Sequence, residues 1–126
     1  MKHNESQIQI ACVQWFRLQY KRLALLLFAV PNGGARRRTE AAIMKAEGTT
    51  KGVADLILLF PSNGFHGLCI EMKTKTGIQR DSQKEWQRAV EYAGFKYIIC
   101  RSVEEFIAQV NDYLKPKMGK NSAFQQ

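Results

Sequence analysis

Residues 52–77 of the chain, GVADLILLFPSNGFHGLCIEMKTKTG, predict a β-hairpin. Two apolar, strand-like runs, residues 52–60 and 67–73, are joined by a connection with the turn-forming sequence Pro-Ser-Asn-Gly. The second run carries two charged side chains, Glu71 and Lys73, with a single residue between them. Because side chains alternate across a strand, both charges point to the same face. One face of the hairpin therefore carries a carboxylate and an ammonium group side by side.

The position of Asp55 relative to these charges depends on the length of the hairpin loop. With a five-residue loop, residues 61–65, Asp55 lies opposite Glu71, and with a seven-residue loop it lies opposite Lys73. Either register places the three charged groups on one face, close enough to share a ligand. A six-residue loop would place Asp55 on the other face. The sequence leaves these alternatives open.

Outside the hairpin, apolar periodicity and turn residues predict four helices and two more strands. Two helices are ended by Gly48 and Gly94. Two begin at capping boxes, in which a serine is followed three residues later by a glutamate: Ser82 with Glu85, and Ser102 with Glu105. In chain order the predicted segments are a helix over 5–19 with Asn4 as its N-cap, a buried strand within 23–30, a helix over 36–47, the two hairpin strands, a helix over 82–93, a strand over 96–101 and a helix that ends at Leu114.

The order α-β-α-β-β-α-β-α predicts an α/β domain, in which helices flank a four-stranded mixed sheet and the hairpin is its antiparallel part. A length of 126 residues with 45% hydrophobic residues fits a single domain with its own core. We expect this domain to span residues 1–114. Residues 115–126 contain Pro116, Gly119 and mostly polar side chains, which predicts a flexible tail.

The charge balance favours a polyanionic partner. The chain has 19 Lys and Arg against 11 Asp and Glu, a net charge of +8, and nucleic acid is the commonest partner of such a surface. An acidic membrane surface and simple solubility are the alternatives. The most apolar run, residues 23–30, is far shorter than the ~20 residues of a membrane-spanning helix. We expect neither a membrane span nor a signal peptide.

The three cysteines, Cys12, Cys69 and Cys100, are widely spaced and form no C-x-x-C pair. This pattern argues against a disulfide framework or a zinc site and is typical of a protein in a reducing cytosol. Each cysteine lies in an apolar run, so we expect three small buried hydrophobic side chains. The predicted location is the cytoplasm of a bacterial cell or of a phage-infected host.

The carboxylates of Asp55 and Glu71 would repel each other unless a cation lies between them. Mg²⁺ prefers oxygen ligands and is usually held by one or two carboxylates, waters and a substrate phosphate. Such an ion polarises a phosphodiester and activates a water molecule, and Lys73 beside it could orient that water and stabilise the phosphorus transition state. The three residues and the basic surface therefore predict a metal-dependent phosphodiesterase.

An ordered set of motifs then resembles a known family, the VRR-NUC branch of the PD-(D/E)XK nuclease superfamily. The motifs extend from residue 5 to about residue 114, most of the chain. Ala54 departs from the family pattern, which often has proline before the aspartate. The matching motifs are Glu5 in the first helix, the Pro-Asn-Gly-Gly turn at 31–34 followed by Arg36 or Arg37, the lysine-bearing helix end at 45–48, the G-x-x-D at 52–55, the E-x-K at 71–73 and Gln83.

The resemblance implies a restriction-endonuclease-like core and a role for each matching residue. Asp55 and Glu71 would bind Mg²⁺ or Mn²⁺, with the backbone carbonyl of Met72 as a further ligand. Glu5 would support the metal directly or through water. Lys73 would be the catalytic lysine, and Gln83 would position it or a water at the phosphate.

The resemblance to the stand-alone phage and bacterial members also implies a homodimer that cleaves Holliday (four-way) junctions. The alternatives are a non-cleaving module that binds branched nucleic acid, and a non-specific or restriction-type DNA endonuclease. We expect eight residues to contact the DNA backbone, some as a close-approach turn and some as basic side chains. They are Asn32, Gly33, Gly34, Arg36, Arg37, Lys51, Lys75 and Arg80.

Overall fold

The structure, a computed structural model, describes residues 2–31 and 38–116, with side chains from Glu5 onward. Its elements follow the predicted order, so the predicted fold class is confirmed. They are α1 (Lys2–Gln19), a 3₁₀ helix (Lys21–Leu26), β1 (Leu27–Ala29), α2 (Arg38–Ala46), β2 (Leu56–Leu58), β3 (Leu68–Met72), α3 (Asp81–Tyr92), β4 (Lys96–Cys100) and α4 (Val103–Leu114).

The four strands form one mixed sheet in the order β1-β2-β3-β4. The pairs β1–β2 and β2–β3 are antiparallel, whereas β3 and β4 are parallel and are connected through α3. Strand β3 therefore has a neighbour on each side, and all five of its residues are buried. A charged side chain in this strand is enclosed by the sheet and by the helices that cover it.

The two faces of the sheet pack against different helices. Alternating strand residues such as Leu56, Ile70 and Cys100 share a core with residues of α1 and α4. The intervening residues, among them Cys69 and Tyr97, form a second, smaller core with side chains of α3. Because side chains alternate along β3, Glu71 lies on the face that α3 covers.

The hairpin register places Asp55 opposite Glu71. Leu56 pairs with Ile70, and the same register continued by one residue sets Asp55 across from Glu71, as the five-residue loop predicts. The tip of the hairpin has a different register, because Ser62 pairs with Phe65 around a two-residue Asn-Gly turn. Between the tip and the ladder the first strand has three residues, 59–61, and the second has two, 66 and 67. The extra residue is a bulge that shifts the register by one position.

Two predicted segments in the first third of the chain need correction. Helix α1 begins at Lys2, so Asn4 lies within the helix and is not its N-cap. Within the predicted strand at 23–30, only Leu27–Ala29 is a strand, and a 3₁₀ helix precedes it. The apolar composition is misleading here because Leu25 is 95% exposed, so the run is not a continuous buried segment.

The predicted capping box at the start of α3 is also wrong. The helix begins at Asp81, one residue before the predicted start, with Arg80 as the N-cap. The third helical residue is therefore Gln83 rather than Glu85, and its amide oxygen accepts the Arg80 N–H at 2.7 Å. This hydrogen bond between the Gln83 side chain and the Arg80 backbone replaces the predicted serine cap.

The predicted glycine ends of α2 and α3 and the predicted serine cap of α4 are confirmed, whereas the predicted start of the second helix at residue 36 lies outside the described residues. Gly48 (φ +110°) and Gly94 (φ +94°) adopt the left-handed conformation after α2 and α3, and the hydrogen bonds that close both ends form Schellman motifs. At the start of α4, Ser102 Oγ accepts the Glu105 N–H at 3.1 Å. At its other end, the hairpin turn supplies the cap, because Asn63 Nδ2 donates to the Tyr113 carbonyl at 2.9 Å.

All three cysteines are free and buried, which agrees with their predicted role as small core residues. Burial raises the pKa of the Cys12 thiol to about 12 and that of Cys69 to about 11, so both thiols are protonated at neutral pH.

None of the nine residues that the structure describes in α2 is buried. In the described part of the chain, no helix has the length and apolar character needed to cross a membrane. The predicted tail lies largely at 117–126, outside the described residues.

Candidate active site

Five of the predicted site residues lie together at the end of the sheet where β3 and β4 finish. β3 ends with Glu71 and Met72, and Lys73 follows at once. Asp55 precedes the first residue of antiparallel β2, and Gln83 lies in the first turn of α3. The antiparallel pairing of β2 and β3 brings the start of one strand to the end of the other, which is why residues 16 positions apart in sequence become neighbours.

Glu71 is enclosed, with only 1% of its surface exposed, and its two carboxylate oxygens have different surroundings. Oε1 accepts a short hydrogen bond from the Tyr97 hydroxyl and a second, at 3.2 Å, from Gln79 Nε2. Oε2 lies 3.1 Å from Lys73 Nζ, within ion-pair distance, but has no partner at hydrogen-bond geometry. One oxygen is thus saturated by neutral donors, while the other faces only a cationic group.

Lys73 is also buried, with 9% of its surface exposed, and its ammonium group has two partners. Nζ contacts Glu71 Oε2 and donates to Gln83 Oε1 at 3.0 Å. Burial of a lysine is unfavourable unless the charge is paired and hydrogen-bonded, and both conditions are met here. The burial of Glu71 and Lys73 therefore shows that they do not form a solvent-facing ion pair.

Gln83 is held by its helix and by a close backbone contact. Its amide oxygen accepts from both Arg80 N–H and Lys73 Nζ, so the start of α3 and the lysine are linked through one atom. Gly52, with φ +81°, packs on the same turn: a Cβ there would lie 2.3 Å from the Ser82 carbonyl oxygen. Only glycine permits this approach of the 50–55 segment to α3.

Asp55 reaches across the end of β3. Its Oδ2 accepts the backbone N–H of Met72 at 2.7 Å. The N–H and C=O groups of a strand residue point to the same edge, so the Met72 carbonyl also faces the side of the strand where Asp55 lies. Asp55 is half-buried, which leaves this corner of the site accessible from solvent.

The arrangement fits a hard divalent cation. Carboxylate and carbonyl oxygens are the donors that Mg²⁺ and Mn²⁺ prefer, and Asp55, Glu71 and the Met72 carbonyl supply them at one end of the sheet. The buried Glu71 Oε2 has the Lys73 ammonium 3.1 Å away but no hydrogen-bond partner, so it is the carboxylate oxygen available to a metal ion. Within residues 5–31 and 38–116, no three side chains of His, Cys, Asp or Glu converge at one point, so two carboxylates and backbone or water oxygens would complete such a site.

Glu5 lies beside the edge strand β1. It is half-buried on α1 and lines a cleft of about 570 Å³ between α1 and β1, together with Gln9, Arg17 and Phe28. Ala29 lines the same cleft and pairs with Leu56, the residue that follows Asp55, so the cleft reaches the sheet at the level of Asp55. This position is compatible with a role of Glu5 toward a metal or its waters, which stays a prediction.

Three of the predicted DNA contacts are described, and all three are exposed: Lys51, Lys75 and Arg80. Lys51 precedes Gly52 and so lies beside the start of α3, where Arg80 is the N-cap. Lys75 lies in the segment after β3, which Arg101 holds through Nη1 bonds to the Thr74 and Gly77 carbonyls at 2.8 and 2.7 Å. The other five, Asn32, Gly33, Gly34, Arg36 and Arg37, lie outside the described residues, and all eight contacts stay predictions.

Two side chains that contact Glu71 were not predicted from the sequence, Tyr97 and Gln79. Burial raises the pKa of the Tyr97 phenol, and the hydrogen bond to Glu71 raises it further, so Tyr97 remains a proton donor at neutral pH. A tyrosine in a strand that otherwise reads as buried is a usable signal, because a buried hydroxyl needs a partner. Gln79 lies in a polar connection and has no comparable signal.

Comparisons with known proteins agree with this fold. A solved structure described as a "VRR_NUC domain protein" superposes with a TM-score of 0.78 and 24% sequence identity, over 88% of this chain and 88% of that one. No curated protein matches the sequence. The family model for the VRR-NUC domain matches residues 3–104, which include the first helix, the hairpin and α3. Because this match covers most of the sequence, the chain belongs to the VRR-NUC domain family and has its nuclease-type fold.

Proposed function

We propose that this protein is a Mg²⁺- or Mn²⁺-dependent endodeoxyribonuclease that hydrolyses phosphodiester bonds in branched DNA, with four-way junctions as its substrate. The observation that carries the proposal is the buried group at the end of β3, where Glu71 Oε2 faces Lys73 Nζ at 3.1 Å and Asp55 lies across the strand end. A buried carboxylate and a buried lysine are costly to the fold, which favours a chemical role over a structural one.

Each residue at the site has a role that follows from its contacts. Asp55, Glu71 and the Met72 carbonyl would hold the cation, which when bound supplies polarisation of the phosphate and activation of a water molecule. The Lys73 ammonium stabilises negative charge that develops on the phosphorane oxygens and orients the attacking water. Gln83 fixes the direction of the lysine through its 3.0 Å hydrogen bond.

The choice of DNA over other phosphodiesters rests on the surface charge. The net charge of +8 favours a polyanion, and the exposed Lys51, Lys75 and Arg80 flank the site along the chain.

The four-way junction and the homodimer are proposed together, because a two-fold dimer places two sites on the two strands of a symmetric junction. The cytoplasmic location stays a prediction.

The test is a cleavage assay on labelled four-way junctions, splayed arms, flaps and linear duplex, each with Mg²⁺, Mn²⁺ or EDTA. We expect metal-dependent cleavage with the junction preferred, and a loss of at least ~100-fold in Lys73→Ala, since general acid–base and electrostatic groups contribute on that scale. Asp55→Asn is a second variant, nearly isosteric and at a half-buried position. Circular dichroism confirms that each variant is folded.

The matched control is Lys115→Ala, which removes the same charge at the other end of the sheet. Lys115 follows α4, where its carbonyl accepts from Asn63 in the hairpin turn. We expect this variant to cleave at the wild-type rate. The catalytic proposal is wrong if Lys73→Ala cleaves at the wild-type rate, or if the wild type cleaves none of the substrates in the presence of metal. Junction binding without cleavage would support a binding module instead.

A further inference from the structure

The two oxygens of Glu71 are not equivalent, and the difference comes from side chains that lie outside the proposed catalytic set. Oε1 is occupied by the Tyr97 hydroxyl and by Gln79 Nε2, whereas Oε2 has Lys73 Nζ as a neighbour and no hydrogen-bond partner. An oxygen that already accepts two hydrogen bonds is a poor additional ligand. The carboxylate is therefore oriented before any cation arrives.

The position of Tyr97 follows from the parallel pairing of β3 and β4. Cys69 pairs with Tyr97, and Glu71 pairs with Ile99. Tyr97 is two residues before Ile99, so its side chain lies on the same face of the sheet as that of Glu71. Tyr97 is 8% exposed, and its ring packs against Trp86 of α3 with the ring centroids 6.2 Å apart. The ring is thus fixed by its packing, and the hydroxyl is directed along the sheet toward Oε1.

Gln79 is held by a chain of amide hydrogen bonds. Its Nε2 group donates to Gln87 Oε1 at 2.8 Å as well as to Glu71 at 3.2 Å, and Gln87 in turn donates to Glu91 Oε2 at 3.1 Å. Nε2 also lies 3.4 Å from the Tyr97 hydroxyl oxygen. An amide nitrogen has two hydrogens, which can serve the two shorter bonds at once. The chain extends from the surface of α3 to the buried carboxylate.

We infer that Tyr97 is a positioning residue: together with Gln79 it occupies Oε1 of Glu71, so that Glu71 binds the metal ion through Oε2 alone. This inference rests on the proposed metal-dependent function. In metalloproteins, loss of a hydrogen bond to a metal-binding side chain typically costs about 10- to 100-fold in metal affinity or activity, because such bonds fix the ligand and tune its basicity. Loss of the hydroxyl would free Oε1 and let the carboxylate turn away from the cation.

The test is Tyr97→Phe in the full chain, with Mn²⁺ binding measured by isothermal titration calorimetry in the absence of DNA. We expect a dissociation constant for Mn²⁺ at least ~10-fold higher than in the wild type. In junction cleavage, the Mn²⁺ concentration for half-maximal rate should rise by a similar factor. The rate at saturating Mn²⁺ should stay within about three-fold of the wild type, because Lys73 and Gln83 are unchanged.

The matched control is Tyr113→Phe. Tyr113 is 1% exposed, and its hydroxyl donates to the Phe60 carbonyl at 2.6 Å. The Phe variant removes this hydrogen bond, but Tyr113 lies on α4 at the hairpin end of the sheet, away from Glu71. We expect lower stability and unchanged Mn²⁺ affinity. If Tyr97→Phe does not fold, Gln79→Met removes the other donor to Oε1 and should weaken Mn²⁺ binding by several-fold.

The outcomes separate this inference from the proposed function. Suppose that the wild type binds Mn²⁺ and cleaves junctions. Unchanged Mn²⁺ affinity in Tyr97→Phe, or in Gln79→Met if that variant is used, would then overturn the positioning role alone. Equal weakening in Tyr97→Phe and Tyr113→Phe would also overturn it, since the effect would then be one of stability. A wild type that binds no Mn²⁺ would overturn both.

Discussion

Lys73 and Glu71 show how burial changes the meaning of a two-residue motif. An exposed Glu-x-Lys pair contributes little to stability and has no implied function. Here the two side chains are 11% and 1% exposed, so each depends on the other for compensation of its charge. The sequence predicts the pair and its common face, but the extent of burial follows from α3, which packs over that face of the sheet.

Stability should therefore depend on the pair rather than on either residue. Lys73→Met leaves Glu71 as a buried charge without its ammonium partner, and we expect a loss of about 3–5 kcal/mol in the free energy of unfolding. Combining it with Glu71→Gln removes both charges and should recover most of that loss. Urea unfolding at pH 7 in EDTA measures both variants. A double variant no more stable than Lys73→Met would contradict a buried ion pair.

At the level of the element, the first turn of α3 carries part of the site on its backbone. Gly52 approaches the Ser82 carbonyl so closely that a side chain has no space, and the same turn presents Gln83 to Lys73. The G-x-x-D sequence marks Gly52 together with Asp55, yet its contact with a helix 30 residues later is a tertiary feature. The serine cap predicted for α3 was wrong for a related reason, because the Gln83 amide serves both the helix end and the lysine.

Gly52→Ala should disturb both stability and catalysis. A left-handed conformation alone costs a non-glycine residue roughly 1–2 kcal/mol, and the contact of 2.3 Å with the Ser82 carbonyl adds to this by displacing α3. We expect cleavage activity to fall at least ~10-fold in folded protein, since small displacements of positioning groups have such effects.

Gly64→Ala is the matched control for this prediction. Gly64 has a similar φ of +87°, but its Cβ position is open, and it lies at the hairpin tip rather than at the first turn of α3. The Gly64→Ala variant should lose only about 1–2 kcal/mol in the free energy of unfolding, from the left-handed conformation, and should keep its cleavage activity. Thermal unfolding and junction cleavage distinguish the two variants, and equal activity loss in both would rule out the Gly52 contact as the cause.

For the whole molecule, the surplus of positive charge predicts a strongly salt-dependent affinity for DNA. The five basic residues proposed as phosphate contacts would give a slope of about −4.5 in a plot of log K against log salt, or a ~500-fold loss between 50 and 200 mM NaCl. Fluorescence anisotropy with a labelled junction in Ca²⁺ or EDTA measures this without cleavage. Lys51→Ala should reduce the slope by about 1, whereas Lys115→Ala should leave it unchanged. A salt-independent affinity would contradict the backbone contacts.

The sequence by itself determines the order of elements and the chemistry of the site. Apolar runs, glycine helix ends and the serine cap at Ser102 are local signals, and each depends on a few neighbouring residues. The same holds for the identity of Asp55, Glu71 and Lys73 as the charged groups of the hairpin. Local signals fail where burial is uneven, as in the 3₁₀ helix at Lys21–Leu26, whose Leu25 points to solvent.

Only the tertiary structure decides whether these charged groups meet. The Asn-Gly turn at the hairpin tip, extended without interruption, would set Asp55 opposite Met72 and turn its side chain to the other face. The bulge at residues 59–61 restores the register that sets Asp55 opposite Glu71. A bulge is selected by how both faces of the sheet pack against the helices, since a shift of one residue exchanges the faces of the whole strand. The contacts of Tyr97 and Gln79 with Glu71 have the same origin, because each joins separate elements through packing that sequence-local patterns do not encode.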